Sequence, residues 1–254
     1  MKDLLGWRLA ALKNGFLDAT AYRVEFALEV IGSMIVPVGV QVLLWYAMFI
    51  LGENETIAGM TFTDMMYYTL ASALFSQVRG GNHDFELAEM IRSGHLSQYL
   101  LKPVSCVEFV FVRGVAAKLF IAAVCMIIGM VLSFWTDLSA MRMVGAMGLA
   151  IIGNIIHYQI GAALASVAFY WEESYSVLMV KNLIVQILSG ELIPLYLFPA
   201  SMAWIWQSTP FYLYVFGPSQ YALGRWSHEE FFYQCALGLG WIIFSWVLIK
   251  ITWG

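Results

Sequence analysis

The chain has 254 residues, 61% of them hydrophobic and only 12% charged, with a mean hydropathy of +0.75 and a formal net charge of −4. A soluble domain carries about twice that charged fraction, so the composition excludes an ordinary soluble protein, and the weak negative charge gives no footing for nucleic-acid binding. Several charge-free runs are at or near the ~18–20 residues that a helix needs to cross a bilayer, which predicts an all-α polytopic membrane protein.

Residues 1–22 carry Leu5, Leu9, Leu12 and Phe16 along one helical face, with Lys2, Arg8, Lys13 and Asn14 elsewhere. That pattern predicts a helix lying in the membrane interface. Residues 30–51 hold no charge and make the first span, where a packed bundle tolerates Pro37 and Gly39. After a polar turn at 52–59, the second span has a short charge-free core, 65–78, and must borrow Phe62 and Thr63.

Residues 82–107 then form a polar island in an apolar chain. Leu87, Met90 and Ile91 fall on one face of a helix, with Glu86, Glu89 and Arg92 on the other. Gly94 stops this helix, a second turn runs through Leu96, Tyr99 and Leu100, and Pro103 ends it. The segment reads as a bent amphipathic helix pair outside the lipid.

The third span covers 119–136 and starts earlier, around Glu108, with Arg113 and Lys118 near the inner face. Residues 143–171 make a long, tilted fourth span. Gly153, Gly161 and Ala165 form a smooth stripe on it where another helix can approach closely. The fifth span, 174–190, is interrupted by Lys181. Residues 192–224 are charge-free but hold Pro194, Pro199, Pro210 and Pro218, a density no straight spanning helix carries. Residues 191–228 therefore read as an outer re-entrant segment of two short helices, and 231–249 as the sixth span.

Basic residues set the orientation. With the N-terminus inside and six spans, all of the 13 lysines and arginines except Arg142 and Arg225 face the cytoplasm or its interface. A seventh span through 192–213, which would put the C-terminus outside, is the competing topology.

The run Met90-Ile91-Arg92-Ser93-Gly94-His95-Leu96-Ser97-Gln98-Tyr99-Leu100-Leu101-Lys102-Pro103-Val104 resembles the cytoplasmic segment of ABC-2 type permeases. It is closest to the branch without a fused ATPase, whose pattern is I-R-S-G-x-L-D-x-x-L-L-R-P-V. Ser97 stands where that pattern has Asp, and Lys102 where it has Arg. Tyr22-Arg23 followed by Leu44-Trp45 resembles the family's entry into the first span. The run from Leu188 through Gly190-Glu191-Leu192-Ile193-Pro194 to Phe198-Pro199, then Thr209-Pro210-Phe211 and Pro218, resembles its end of span five and outer helices.

The resemblance implies the permease subunit of an ATP-binding cassette exporter in the bacterial inner membrane. Such a subunit pairs with a second permease, identical or paralogous, and with separate cytoplasmic ATPases that hold ATP and Mg. It implies no cofactor on this chain itself. It also makes Glu86, Leu87, Glu89, Met90, Ile91, Arg92, Gly94, Tyr99 and Leu100 the coupling surface for the ATPase, and Glu191, Pro194, Phe198 and Pro199 the outer gate. Consistent with a need for a partner, the chain has no Walker A pattern with which to cradle ATP.

Other polar residues have competing readings. His83, Asp84 and Glu86 read as a solvated turn and helix cap rather than metal ligands. Asn154 and His157 lie mid-span, where polar groups face the bundle interior or a pathway. An interhelical hydrogen bond and a substrate or proton contact both fit. Lys181 either snorkels to the inner surface or lines the cavity. Glu25 and Glu29 near Arg23 read as an ion pair at the cytoplasmic edge, with a gate charge as the alternative. Glu191 either caps a short helix or closes the pathway. Cys106, Cys125 and Cys235 lie far apart without CxxC spacing, as packing residues do. The aromatic belts suit an amphipathic substrate without demanding one. Two other functions compete: a non-transporting membrane scaffold, and an intramembrane enzyme, which would need convergent catalytic groups beyond the isolated His157.

Overall fold

The computed structural model describes residues 2–21, 23–100, 104–135 and 139–254. Tyr22, Lys102, Pro103 and Asp137, and the side chains of Arg23, Glu25, Glu29 and Leu100, lie outside the described residues, and so does the ion pair expected at Glu25 and Glu29. Every named element among the described residues is helical. α1 (Lys2–Ala21) leads into α2 (Arg23–Tyr46), which runs on as a π-helical turn over Ala47–Leu51. α3 (Phe62–Arg79), α4 (His83–Arg92) and the single turn α5 (Ser97–Leu100) follow. Next come α6 (Cys106–Trp135), α7 (Ala140–Ala165), which a 3-10 turn extends over Ser166–Phe169, and α8 (Ser174–Leu188). Between α8 and the last helix lie three 3-10 turns and two short helices, α9 (Ala203–Gln207) and α10 (Phe216–Ala222); α11 (His228–Trp253) closes the chain.

Among the described residues, four stretches are long and apolar enough to cross a membrane: Ile31–Leu51, Cys106–Val131, Ala140–Phe169 and His228–Trp253. The other two expected spans are shorter. α3 has 18 residues and α8 has 15, or about 27 and 22 Å at 1.5 Å per residue, against a hydrocarbon core of ~30 Å. The outer region is more broken than two re-entrant helices, as its prolines require. Pro194, Pro199 and Pro210 each stand at the start of a 3-10 turn.

Local sequence fixes the helix starts. Thr61 and Asp64 form a reciprocal capping box at α3, and Ser227 and Glu230 do the same at α11, each satisfying two backbone donors that a helix start leaves free. Within the bundle α7 is central, buried along half of its apolar window where α11 is buried along 11% of its own. Its small-residue stripe is taken by elements that are not spans. A Cβ at Gly153 would stand 3.0 Å from the Leu213 carbonyl oxygen, and one at Gly161 would stand 3.1 Å from Asp84 Cβ. Ala165 is buried with Leu87 and Ala88 of α4. α1, expected to lie in the membrane interface, packs on the start of α6 through its less apolar side: Trp7 stacks on Phe109, Arg8 pairs with Glu108, and Ala11 is buried. The expected apolar face, with Leu9 and Phe16, stays exposed.

Candidate functional site

The polar island folds as a helix with two unlike sides. Leu87 is fully buried in a core with Cys106, Val107, Val110, Tyr158, Ala162 and Leu178, and Met90, Leu96 and Tyr99 pack at its edge. Ile91 is half-buried. The stripe predicted for one face therefore seats on α6, α7 and α8 of the same chain. Glu86, expected among the outward charges, pairs with Arg113 of α6. Tyr99 lies against Phe109, ring centroids 5.4 Å apart. What stays exposed is Glu89, Arg92 through His95, Ser97 and Gln98. Glu89 and Arg92 face each other at 3.9 Å. Gly94 takes a φ of +75°, a left-handed conformation that favours glycine, and the turn is closed by Leu96 N–H donating to Met90 O at 3.0 Å. Of the expected coupling residues, Glu89, Arg92 and Gly94 lie on the free side, whereas Glu86, Leu87, Met90 and Tyr99 hold the segment to its own bundle.

The start of α4 corrects the solvated-turn reading. Asp84 and Lys181 form an ion pair at 2.6 Å with side chains only 4% and 6% exposed. Lys181 thus neither snorkels to the surface nor stands free in a cavity; it is paired with the first turn of α4. A buried charge without a partner is costly, and here each charge supplies the partner of the other. Beside them His83 fills a notch left by Gly81 and Gly114, where any Cβ would press on the imidazole, and its ring meets Tyr158 edge-on. Burial, then the nearby Lys118 ammonium, pushes the His83 pKa down to about 4.

A second ion pair lies near the first. Arg79, the last residue of α3, donates to Glu191 at 2.6 Å. Asn154 of α7 donates to the carbonyls of Val78 and Arg79, at 2.9 and 3.2 Å, satisfying acceptors that a helix end leaves free. Tyr68 donates to Gly190 O and Gln41 to Glu191 O, both at 2.7 Å. Gln41 stands at the centre of the apolar stretch Ile31–Leu51, and Tyr68 is about three turns before Arg79 on α3. The turn at Gly190–Glu191 consequently lies beside the middle of α2 and α3. It is not at the Asp64 end of α3, where Arg225 pairs with Asp64 at 3.1 Å.

The rest of the expected gate runs from there toward the start of α3. Pro194 is buried and Phe198 faces Trp206, ring centroids 5.9 Å apart; Pro199 is exposed. Next to it, the Tyr196 hydroxyl reaches Met65 Sδ at 3.2 Å, near the start of α3. His157 lines a small cavity with Arg79, His83, Asp84, Asn154 and Tyr158, roomy enough for about one water molecule. Its ring meets Tyr214 edge-on at 5.5 Å, and Arg79 Nε is buried there with no hydrogen-bond partner among the described residues. Asn154 and Lys181 thus serve helix capping and charge pairing. Sequence reasoning missed Asp84 and Arg79 as members of the site. The available signal was that Lys181 and Glu191, isolated in an apolar segment, each require an opposite charge.

A family model described as an ABC-2 family transporter protein matches residues 35–254. No curated protein and no solved structure matches the chain.

Proposed function

This chain belongs to the ABC-2 transporter family, which makes it a multi-pass membrane permease, and from that premise we propose that it is the membrane subunit of an exporter powered by separate ATPase chains. The observation that carries the reading is the two-sided α4–α5 segment, whose apolar side is held by α6, α7 and α8 and whose polar side, Glu89, Arg92 through His95, Ser97 and Gln98, is left uncovered. A segment so anchored is suited to receive a push from outside and pass it to the bundle.

In this reading α2, α3, α6, α7, α8 and α11 are the six spans, both termini are cytoplasmic, and α1 lies at the inner interface. The short α3 crosses by packing against longer neighbours; α8 reaches only mid-depth at Gly190–Glu191, and the turns after it, out to Phe198, complete that crossing. The chain works in a bacterial inner membrane with a second permease, identical or paralogous. The ATPases hold ATP and Mg, and their closure alternates access to a pathway blocked at mid-depth by the Gly190–Glu191 turn and further out by Phe198. The cargo is an amphipathic molecule moving past the aromatic outer segment.

Isolation of the native complex through a tag on this chain tests the reading. An ATP-hydrolysing subunit is expected to co-purify. Its absence from the intact complex would remove the transporter reading in favour of a membrane scaffold.

A further inference from the structure

We infer that Asp84 and Lys181, together with Arg79 and Glu191, are the positioning residues that carry movement of α4 to the turn following α8. The inference rests on the proposed docking of an ATPase at α4 and specifies how that site communicates.

The two ion pairs join the same two pieces of chain. The junction between α3 and α4 contributes a cation and then an anion, Arg79 and Asp84. α8 and the turn after it also contribute a cation and then an anion, Lys181 and Glu191. Pairing is crossed: the first charge of one piece meets the last of the other, 2.6 Å apart in both pairs. Sliding one piece past the other would bring Arg79 toward Lys181 in one direction and Asp84 toward Glu191 in the other, and both encounters are repulsive. Pulling either pair apart would strand desolvated charges, because Asp84, Lys181 and Arg79 are buried. The junction and α8 are therefore fixed to each other in register.

Their contact with α7 is of another kind. α7 meets them at Gly161, over which Asp84 lies without a side chain in the way, at Asn154 and His157, and through the apolar packing of Tyr158, Ala162 and Ala165 with Leu87 and Ala88. It contributes no carboxylate or ammonium there. A displacement of α4 thus moves α8 and Glu191 as one body along α7, while Tyr68 and Gln41 hold the Gly190–Glu191 turn only through hydrogen bonds to its carbonyls.

The test uses the ATPase-bound complex, with Cys235→Ser to remove the half-buried thiol and Ala200→Cys as an exposed reporter at the far end of the turn. Maleimide labelling is timed with and without ATP plus orthovanadate. In the otherwise native chain the nucleotide is expected to change the labelling rate about fivefold or more, the scale of a typical coupling between sites. The neutral variant D84N/K181Q is expected to keep its ATPase and lose that dependence, and the charge-exchanged D84K/K181D to regain it. Nucleotide-dependent labelling that survives in D84N/K181Q would overturn the inference. Loss of ATPase binding by that variant would overturn it too, since the pair would then shape the docking surface rather than transmit its motion. A native chain that carries no ATPase would instead overturn the proposed function, and this inference with it.

Discussion

The guanidinium of Arg79, at the end of α3, is bonded at 2.6 Å to Glu191, a residue 112 positions further along the chain in the turn after α8. The arginine is nearly buried and the carboxylate partly so, so the pair depends on its geometry more than a surface ion pair does.

Removal of one partner should therefore cost more than removal of both. Arg79→Gln is expected to destabilise the protein by about 2–3 kcal/mol, below the 3–5 typical of a fully buried pair because Glu191 keeps some contact with solvent. The double variant with Glu191→Gln should cost less than the sum of the two single changes. Denaturant unfolding in detergent of all four proteins, as a double-mutant cycle, checks this; additive losses would mean the pair is not coupled.

The stripe on α7 gives a contrast between two glycines one face apart. Gly161→Leu drives a side chain into Asp84 and is expected to cost about 1–3 kcal/mol by overpacking. Gly148 has nothing within 4 Å of an added Cβ, so Gly148→Ala should be neutral or stabilising by up to about 1 kcal/mol through helix propensity. Thermal unfolding of both variants reads the difference, and an equal loss at the two positions would refute this account of the stripe.

His83 gives a pH dependence. Its pKa is pushed from 6.5 to about 4 in the folded protein, so between those values the unfolded chain binds the extra proton. Stability from this group is complete above pH 6.5 and is lost as pH falls toward 4, by about 3 kcal/mol at about 1.4 kcal/mol per unit. His83→Phe keeps a ring against Tyr158 but does not titrate. The stability difference between wild type and variant should hence shrink, or reverse, on going from pH 7 to pH 4.5. A difference that is flat with pH would show that His83 is not held neutral by its surroundings.

Topology is checked separately. A reporter fused after Gly254 is expected to be active only in the cytoplasm, and Asn54→Cys, in the exposed turn between α2 and α3, to react with an impermeant maleimide from outside. An external C-terminus would eliminate the six-span arrangement.

Much of this architecture is legible in the sequence because it is set by local pattern. The long apolar runs give α2, α6, α7 and α11, and Gly94 ends the amphipathic helix where its φ requires a glycine. The family match over residues 35–254 agrees with the resemblance carried by the Met90–Val104 run and the proline-rich turn after α8. The ion pairs were not legible in the same way. Asp84 and Lys181 are 97 residues apart, and their pairing exists only once α4 folds back against α8. Read locally, Asp84 is a polar residue at a helix start and Lys181 is within snorkelling reach of the surface. Glu191 seemed an outer residue for a related reason: linear order places it after a span, but α8 is too short to carry it across.

The most direct test of the central claim is site-specific crosslinking from the uncovered side of the α4–α5 turn. With a photoreactive residue in place of His95, or of Arg92, the account predicts covalent capture of the ATPase subunit in the membrane. The same residue in place of Asn54, on the opposite side, should capture none. Capture absent from both positions on α4–α5 while the ATPase remains in the complex, or capture from position 54, would contradict it.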